Sequence, residues 1–230
     1  MPNIAILFQD SIMSQKSIVL ALFLIISFLT KAQETSTVQN PPVMMEGLVG
    51  SRGFSYQLVA DKKFQSLPRF GYYTVINFQT DWGELKIGDY MLQGHLTYTI
   101  LKGLNAEAGF FANPVDGIRP SAGLVYTYGN PEVFLLANPR FDISKNANAE
   151  IFALAEYKPK LNETLSLYTK VQGLYSHNLG YDIHSRSYVW LRAGLTVREF
   201  TFGLASNFDF YGPAKHNENN LGVFLMVNLF

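Results

Sequence analysis

The stretch whose reading decides the fold is Ser187–Gly212, SYVWLRAGLTVREFTFGLASNFDFYG. Side chains of an extended chain point alternately to opposite faces, so Val189, Leu191, Ala193, Leu195 and Val197 share one face of a first strand. Tyr188, Trp190, Arg192, Gly194 and Thr196 share the other. Beyond Arg198-Glu199, Phe202, Leu204, Phe208 and Phe210 oppose Thr201, Gly203, Ala205, Asn207 and Asp209. One face of this hairpin is apolar throughout. The other carries mostly small and polar residues with an occasional Arg or Asp, where a water-facing sandwich would carry Lys and Glu. That division fits a strand with lipid on one side and a crowded, wet barrel interior on the other.

The pattern recurs upstream. Leu92, Leu96, Tyr98 and Ile100 separate from Gln93, His95, Thr97 and Thr99, and Leu165, Leu167, Val171 and Tyr175 from Ser166, Tyr168, Lys170 and Gln172. Turn residues punctuate segments of about ten residues, the signature of a transmembrane barrel. The connections alternate in length, from long stretches such as YGPAKHNENN and SHNLGYDIHS to short ones such as RE, GNP and KGL. The expected fold is all-β: a single antiparallel up-and-down transmembrane β-barrel of about 12 strands. Reaching 12 requires a first strand near Val43–Val49 turning at GSRG; without it the count is 10. Aromatics near strand ends, namely Phe70, Tyr72, Tyr73, Tyr126, Tyr128, Phe200, Phe202, Phe208, Phe210 and Tyr211, are expected to form girdles at the two membrane interfaces.

Bulk composition excludes other classes. The 230 residues carry 18 Lys+Arg against 18 Asp+Glu, so no concentrated positive face is available for nucleic acid. There is no cysteine, hence neither a disulfide scaffold nor a thiolate metal site. Near the N-terminus, Lys16, the apolar run Ile18–Leu29 and the small residue Ala32 follow the order of a secretory signal peptide, and the apolar run is too short to span a bilayer as a helix. The expected organisation is a signal peptide over 1–32, with Met13 as an alternative start, a flexible periplasmic leader over 33–42, and the barrel over 43–230.

On the strength of this signal, the strand rhythm and the terminal Phe230, the chain resembles bacterial outer-membrane barrel proteins, and the KAQ ending of the signal resembles those of Bacteroidota. The resemblance implies residence in the outer membrane, with both termini periplasmic and outer-membrane lipid as a partner. It also implies that the barrel-assembly machinery reads the C-terminal strand through Phe230. In the closing segment GVFLMVNLF, Val223, Leu225, Val227 and Leu229 form one row, and Gly222, Phe224, Met226, Asn228 and Phe230 the other. If the first row faces lipid, Phe230 turns inward, and a bulge near Val227 or Asn228 is one way to turn it out.

Outer-membrane barrels include hydrolases, and the chain's Ser, His and Asp residues bear on that possibility. The region around Ser185-Arg186-Ser187 superficially resembles that of outer-membrane phospholipase A, but Tyr175, His177 and Val189 stand where the base, the nucleophile and the Asn belong. A triad of Ser185 or Ser187 with His184 and Asp182 would have to form within one surface loop. His177, His184 and His216 read as scattered loop residues rather than metal ligands. No catalytic residue, metal or cofactor is therefore implied.

The lumen is more informative. Glu156, Lys170 and Arg192 are expected at similar mid-depth on three successive strands, with Arg140, Asp142 and Glu150 together nearer the outside. Opposed charges of this kind line a constriction, and the favoured function is a passive porin-like channel for small polar solutes. In that reading Glu156, Lys170, Arg192, Arg140 and Asp142 form its narrowest part. The alternative is a non-conducting structural or accessory barrel of an envelope complex whose partners the sequence does not name; a lipid-modifying enzyme is third.

Overall fold

The computed structural model describes residues 38, 40–83 and 87–230. The expected signal peptide, Met13 and part of the expected leader lie outside the described residues.

Twelve antiparallel strands close into a barrel: β1 (Val43–Gly50), β2 (Gly53–Lys63), β3 (Phe70–Asp81), β4 (Asp89–Leu101), β5 (Leu104–Asn113), β6 (Gly117–Gly129), β7 (Val133–Asp142), β8 (Asn148–Tyr157), β9 (Leu165–Asn178), β10 (Ile183–Val197), β11 (Phe200–Tyr211) and β12 (His216–Leu229). Each strand pairs with its sequence neighbours, and β1 pairs with β12 from Val43↔Leu229 to Gly50↔Gly222. Closure satisfies every strand edge, which a sheet in lipid requires because no water is there to pair with it. The N-terminal strand needed for a count of 12 is present and turns at Ser51-Arg52.

The alternation settles which face is which. Leu96 is 65 % exposed and Leu204 68 %, whereas Gln93, His95, Lys170, Gln172 and Arg192 are buried. An outer surface so rich in exposed Leu, Val, Ile and Phe is far larger than the apolar patches soluble monomers tolerate, and it is the surface a bilayer covers. Tyr72, Tyr126, Tyr128, Phe200 and Phe202 face outward near the end of the barrel where β1 begins and β12 ends. Two of the expected girdle residues do not: Tyr73 is buried in the lumen, and the Tyr211 hydroxyl donates to Asp89.

Two other expectations are corrected. The long connections largely dissolve into strand: Asn178 pairs with Ile183, Tyr211 with His216, and Asn113 with Gly117. Residues such as Glu218 and Asn219 read as loop because they are polar, yet the ladder carries them past the apolar belt. Connection lengths consequently do not distinguish the two ends. The tight β4–β5 turn at Lys102-Gly103 shows how little room some turns leave. Gly103 has φ +83°, and a Cβ there would meet the Thr127 carbonyl at 2.6 Å, so a side chain is excluded on both counts.

The last strand carries no bulge. Its register against β11 is continuous from Phe200↔Val227 to Tyr211↔His216, with Phe224 and Met226 inside and Val223, Leu225 and Leu229 outside. The Phe230 conflict is resolved differently: pairing stops at Leu229, and Phe230 lies beyond it, 98 % exposed. A residue outside the ladder is free of the alternation.

Candidate functional site: the lumen

The interior is a stack of three layers. At mid-depth, Glu46 of β1 reaches past β12 and β11 to β10 and β9. It accepts from Lys170 Nζ at 2.9 Å, and from Arg192 Nε at 2.9 Å and Nη2 at 2.7 Å. Arg192 also donates to the Asn207 side chain. All three charged groups are buried. A carboxylate between two cations is the arrangement that offsets their loss of water, since an unpaired buried charge is far more costly than a paired one.

The expected trio is assembled: Glu156 pairs with Lys170, and Lys170 with Arg192, in the β8–β9–β10 register. The charges nevertheless partner differently from a simple ring. Glu156 accepts from the Tyr168 hydroxyl at 2.8 Å and from Lys158 at 2.8 Å, leaving Lys170 and Arg192 to Glu46. Arg140 donates through Nε to Glu150 at 2.8 Å and lies 4.1 Å from the Phe111 ring centroid. Asp142 sits with Asn148 and Arg119. Opposite the Glu46 cluster, His95 bonds Gln93 and Ser121, and Asn138 donates to Glu107.

Toward the end away from the described termini the lumen is shut. Arg52 pairs with Asp81 and Glu218, and Arg186 with Asp89 at 3.0 Å and Asp209 at 2.8 Å. Trp190 donates to Asp209, and Asn220 donates to Ser55 and Gln79. The cavity left among these side chains is about 10 Å³, room for one water molecule at most.

Toward the end holding the described termini the lumen is open. A cavity of about 410 Å³ extends inward from Pro41, Pro42 and Asn228 to Met91 and Tyr188. Val38, Asn40 and Pro41 are tied beside its mouth: Asn40 exchanges hydrogen bonds with the Lys63 backbone, Lys62 donates to the Pro41 carbonyl, and Gln65 donates to that of Val38. The wall here departs from the polar lining that the sequence implies, because Met44, Val59, Phe134, Leu136, Leu154 and Met226 form an apolar collar.

Sequence reasoning missed two residues. Glu46 sits in a strand whose apolar character hides its phase, and the available signal was electrostatic: two lumen cations, Lys170 and Arg192, stood against too few carboxylates. Arg186 was read as a loop residue. It keeps the phase of Tyr188, Trp190 and Arg192, because β10 extends back past it in unbroken register with β11, and its guanidinium meets Asp89 and Asp209 inside the lumen.

The loop triad is not assembled. His184 Nε2 lies 3.0 Å from Ser187 Oγ, but its Nδ1 lies 2.6 Å from the Gly212 carbonyl, and Asp182 pairs with His177 instead. Among the described residues no group of three or more His, Cys, Asp or Glu is arranged to hold a metal ion.

No protein-family model matches the chain, and no curated protein matches it in sequence. Solved structures similar to it include the NanC porin, at 11 % identity and TM-score 0.47, and the KdgM porin, at 7 % and 0.47. Each comparison covers 82 % of this chain and 99 % of the other. OprD of Pseudomonas aeruginosa matches at 12 % identity and TM-score 0.40, over 82 % of this chain and 63 % of the other. At such identities and scores these likenesses assign no solute, and the chemistry of the lumen is read from its own side chains.

Proposed function

We propose that the chain is a porin-like outer-membrane barrel acting as a narrow passive channel for small solutes, closed at its outer end in the conformation described. The observation that carries this reading is the nature of the closure. A cavity enters the lumen from one end, and the opposite end is filled by side chains, Arg52 and Arg186 with their carboxylate partners, rather than by backbone. Side-chain ion pairs exchange partners without disturbing the barrel ladder, and opposed charges across a lumen order water and sort solutes by charge. The constriction would be formed by Glu156, Lys170, Arg192, Arg140 and Asp142 together with Glu46.

In this reading both termini face the periplasm. An even strand count returns them to one side, and exposed Phe230 is accessible there to the barrel-assembly machinery. The expected secretory signal and the apolar exterior support the outer membrane as the compartment. Conductance of the purified protein in planar bilayers tests the channel. The wild type is expected to show small, infrequent openings, and Arg52→Ala/Arg186→Ala larger and more frequent ones. A well-folded double variant that stays silent overturns the channel.

One observation favours the second reading, a non-conducting barrel within an envelope complex. Glu46, Lys170 and Arg192 pack so closely at mid-depth that each is at most 3 % exposed. A lipid-modifying enzyme has less support, since His184 and Ser187 meet without an acidic partner.

A further inference from the structure

The inner cavity holds an apolar collar, interrupted by Asp61, Glu156, Lys158 and Thr201, and a set of buried polar groups. Counting from the strand ends at its mouth, Phe134 and Leu136 are the second and fourth residues of β7, Leu154 and Met226 the fourth of β8 and β12, and Met44 the second of β1. These make the apolar collar. Deeper, Gln57 is the seventh residue of β2, and Arg140 and Gln172 are the eighth of β7 and β9. All three line the cavity, and they are 6 %, 6 % and 1 % exposed.

Each of these three side chains holds polar atoms without a partner: Gln57 Oε1, Arg140 Nη1, and both Nε2 and Oε1 of Gln172. Buried polar atoms are nearly always paired, and leaving four unpaired beside one cavity is costly. The set is two donors and two acceptors. Its charge is already answered, because Arg140 gives Nε and Nη2 to Glu150. A carboxylate head would add an unbalanced negative charge in a buried site. A neutral head that both donates and accepts matches the set, and a primary amide, with two N–H donors and a carbonyl carrying two lone pairs, matches it atom for atom.

We infer that this cavity is a binding site for a single-chain amphiphile that enters from the end holding the described termini, its neutral amide-like head among Gln57, Arg140 and Gln172 and its hydrocarbon body in the Met44–Leu136–Leu154–Met226 collar. The volume of about 410 Å³ falls in the range of roughly 300–1,000 Å³ typical of small-molecule sites. The inference deepens the channel reading, since the cavity is the inner half of the same lumen, and it narrows the solute class from polar to amphiphilic.

Trp190 reports on the site. It stacks on the cavity-lining Tyr188 at 4.5 Å between centroids and clusters with Leu174 and Phe152, which also line the cavity. The chain has two tryptophans, so Trp82→Phe leaves Trp190 alone. With this variant in lipid vesicles, 2-bromododecanamide is expected to quench Trp190 saturably, above the linear quenching due to partition into the bilayer. Gln172→Leu should weaken the amide roughly tenfold, the loss of about one well-made hydrogen bond, without weakening 2-bromododecane. Leu136→Phe and Leu154→Phe, each checked for heat-modifiable migration, should abolish saturation by filling the collar.

Linear quenching in the unfilled barrel overturns the inference, and so does equal affinity for the bromoalkane and the amide. Conductance is measured separately. A barrel that binds but never conducts overturns the channel alone, whereas one that conducts without saturable binding overturns this inference alone.

Discussion

The two ends of the lumen are made by the same twelve strands and the same alternation, yet one is an apolar-collared cavity of about 410 Å³ and the other is closed to about 10 Å³ by ion pairs. The difference lies in what the inward positions carry. Near the described termini Met44, Val59, Leu136, Leu154 and Met226, which cannot bond across the lumen, stand among Asp61, Glu156, Lys158 and Thr201, and the space between them stays open. At the far end Arg52 and Arg186 find carboxylates on neighbouring and opposite strands and draw the walls' side chains together. Beside the cavity, at mid-depth, the Glu46 cluster fills one side of the lumen.

The comparison breaks most severely at the Glu46 cluster. Glu46→Ala leaves Lys170 and Arg192 buried without a counter-charge, and the expected loss is about 3–5 kcal/mol, read as a lower urea midpoint for the barrel refolded in vesicles. Little change would mean that water from the cavity reaches Lys170 and Arg192. Next comes the closed end. Arg186→Ala removes pairs to Asp89 and Asp209 and the stacking of the guanidinium on Tyr211 at 4.7 Å. A destabilisation of about 2 kcal/mol is expected, together with increased conductance; unchanged openings would assign the closure elsewhere.

Deleting Phe230 sharpens the contrast between folding and function. The residue is outside the ladder, so equilibrium stability should change by no more than about 0.5 kcal/mol, while assembly into outer membranes slows. An equal loss in both measurements would show that Phe230 is structural. The smallest expected effect is from Ser187→Ala. The His184–Ser187 contact has no acid behind it, and hydrolysis of vesicle phospholipid should be indistinguishable from wild type; a drop would revive the enzymatic reading.

Much of this was legible in the chain. The hairpin Ser187–Gly212 reads correctly because period-two alternation survives wherever one face meets lipid: outward Leu191 and Leu204, inward Arg192 and Asn207. The trio Glu156, Lys170 and Arg192 was found by counting from short turns, which works when the intervening register is regular. It failed at Arg186, which keeps the phase of Tyr188 but lies ahead of the expected strand start, and at Tyr73, whose ring suits either a girdle or a lumen. The apolar collar was hidden for a related reason: Leu154, Leu174 and Phe152 lie on strands that carry apolar residues on both faces, and hydropathy then says nothing about side.

By itself the sequence determined that this chain forms strands, that they number twelve once Val43–Val49 is admitted, and which rows must avoid water. Those properties are local, set by alternation and turn chemistry over a few residues. Only the tertiary structure decided that Glu46 answers Lys170 and Arg192 from 124 and 146 positions away, that one end of the lumen is open and the other shut, and that four polar atoms are left facing a cavity. Barrel closure and shear choose which distant residues meet across the lumen, and a pattern of period two holds no information about that choice.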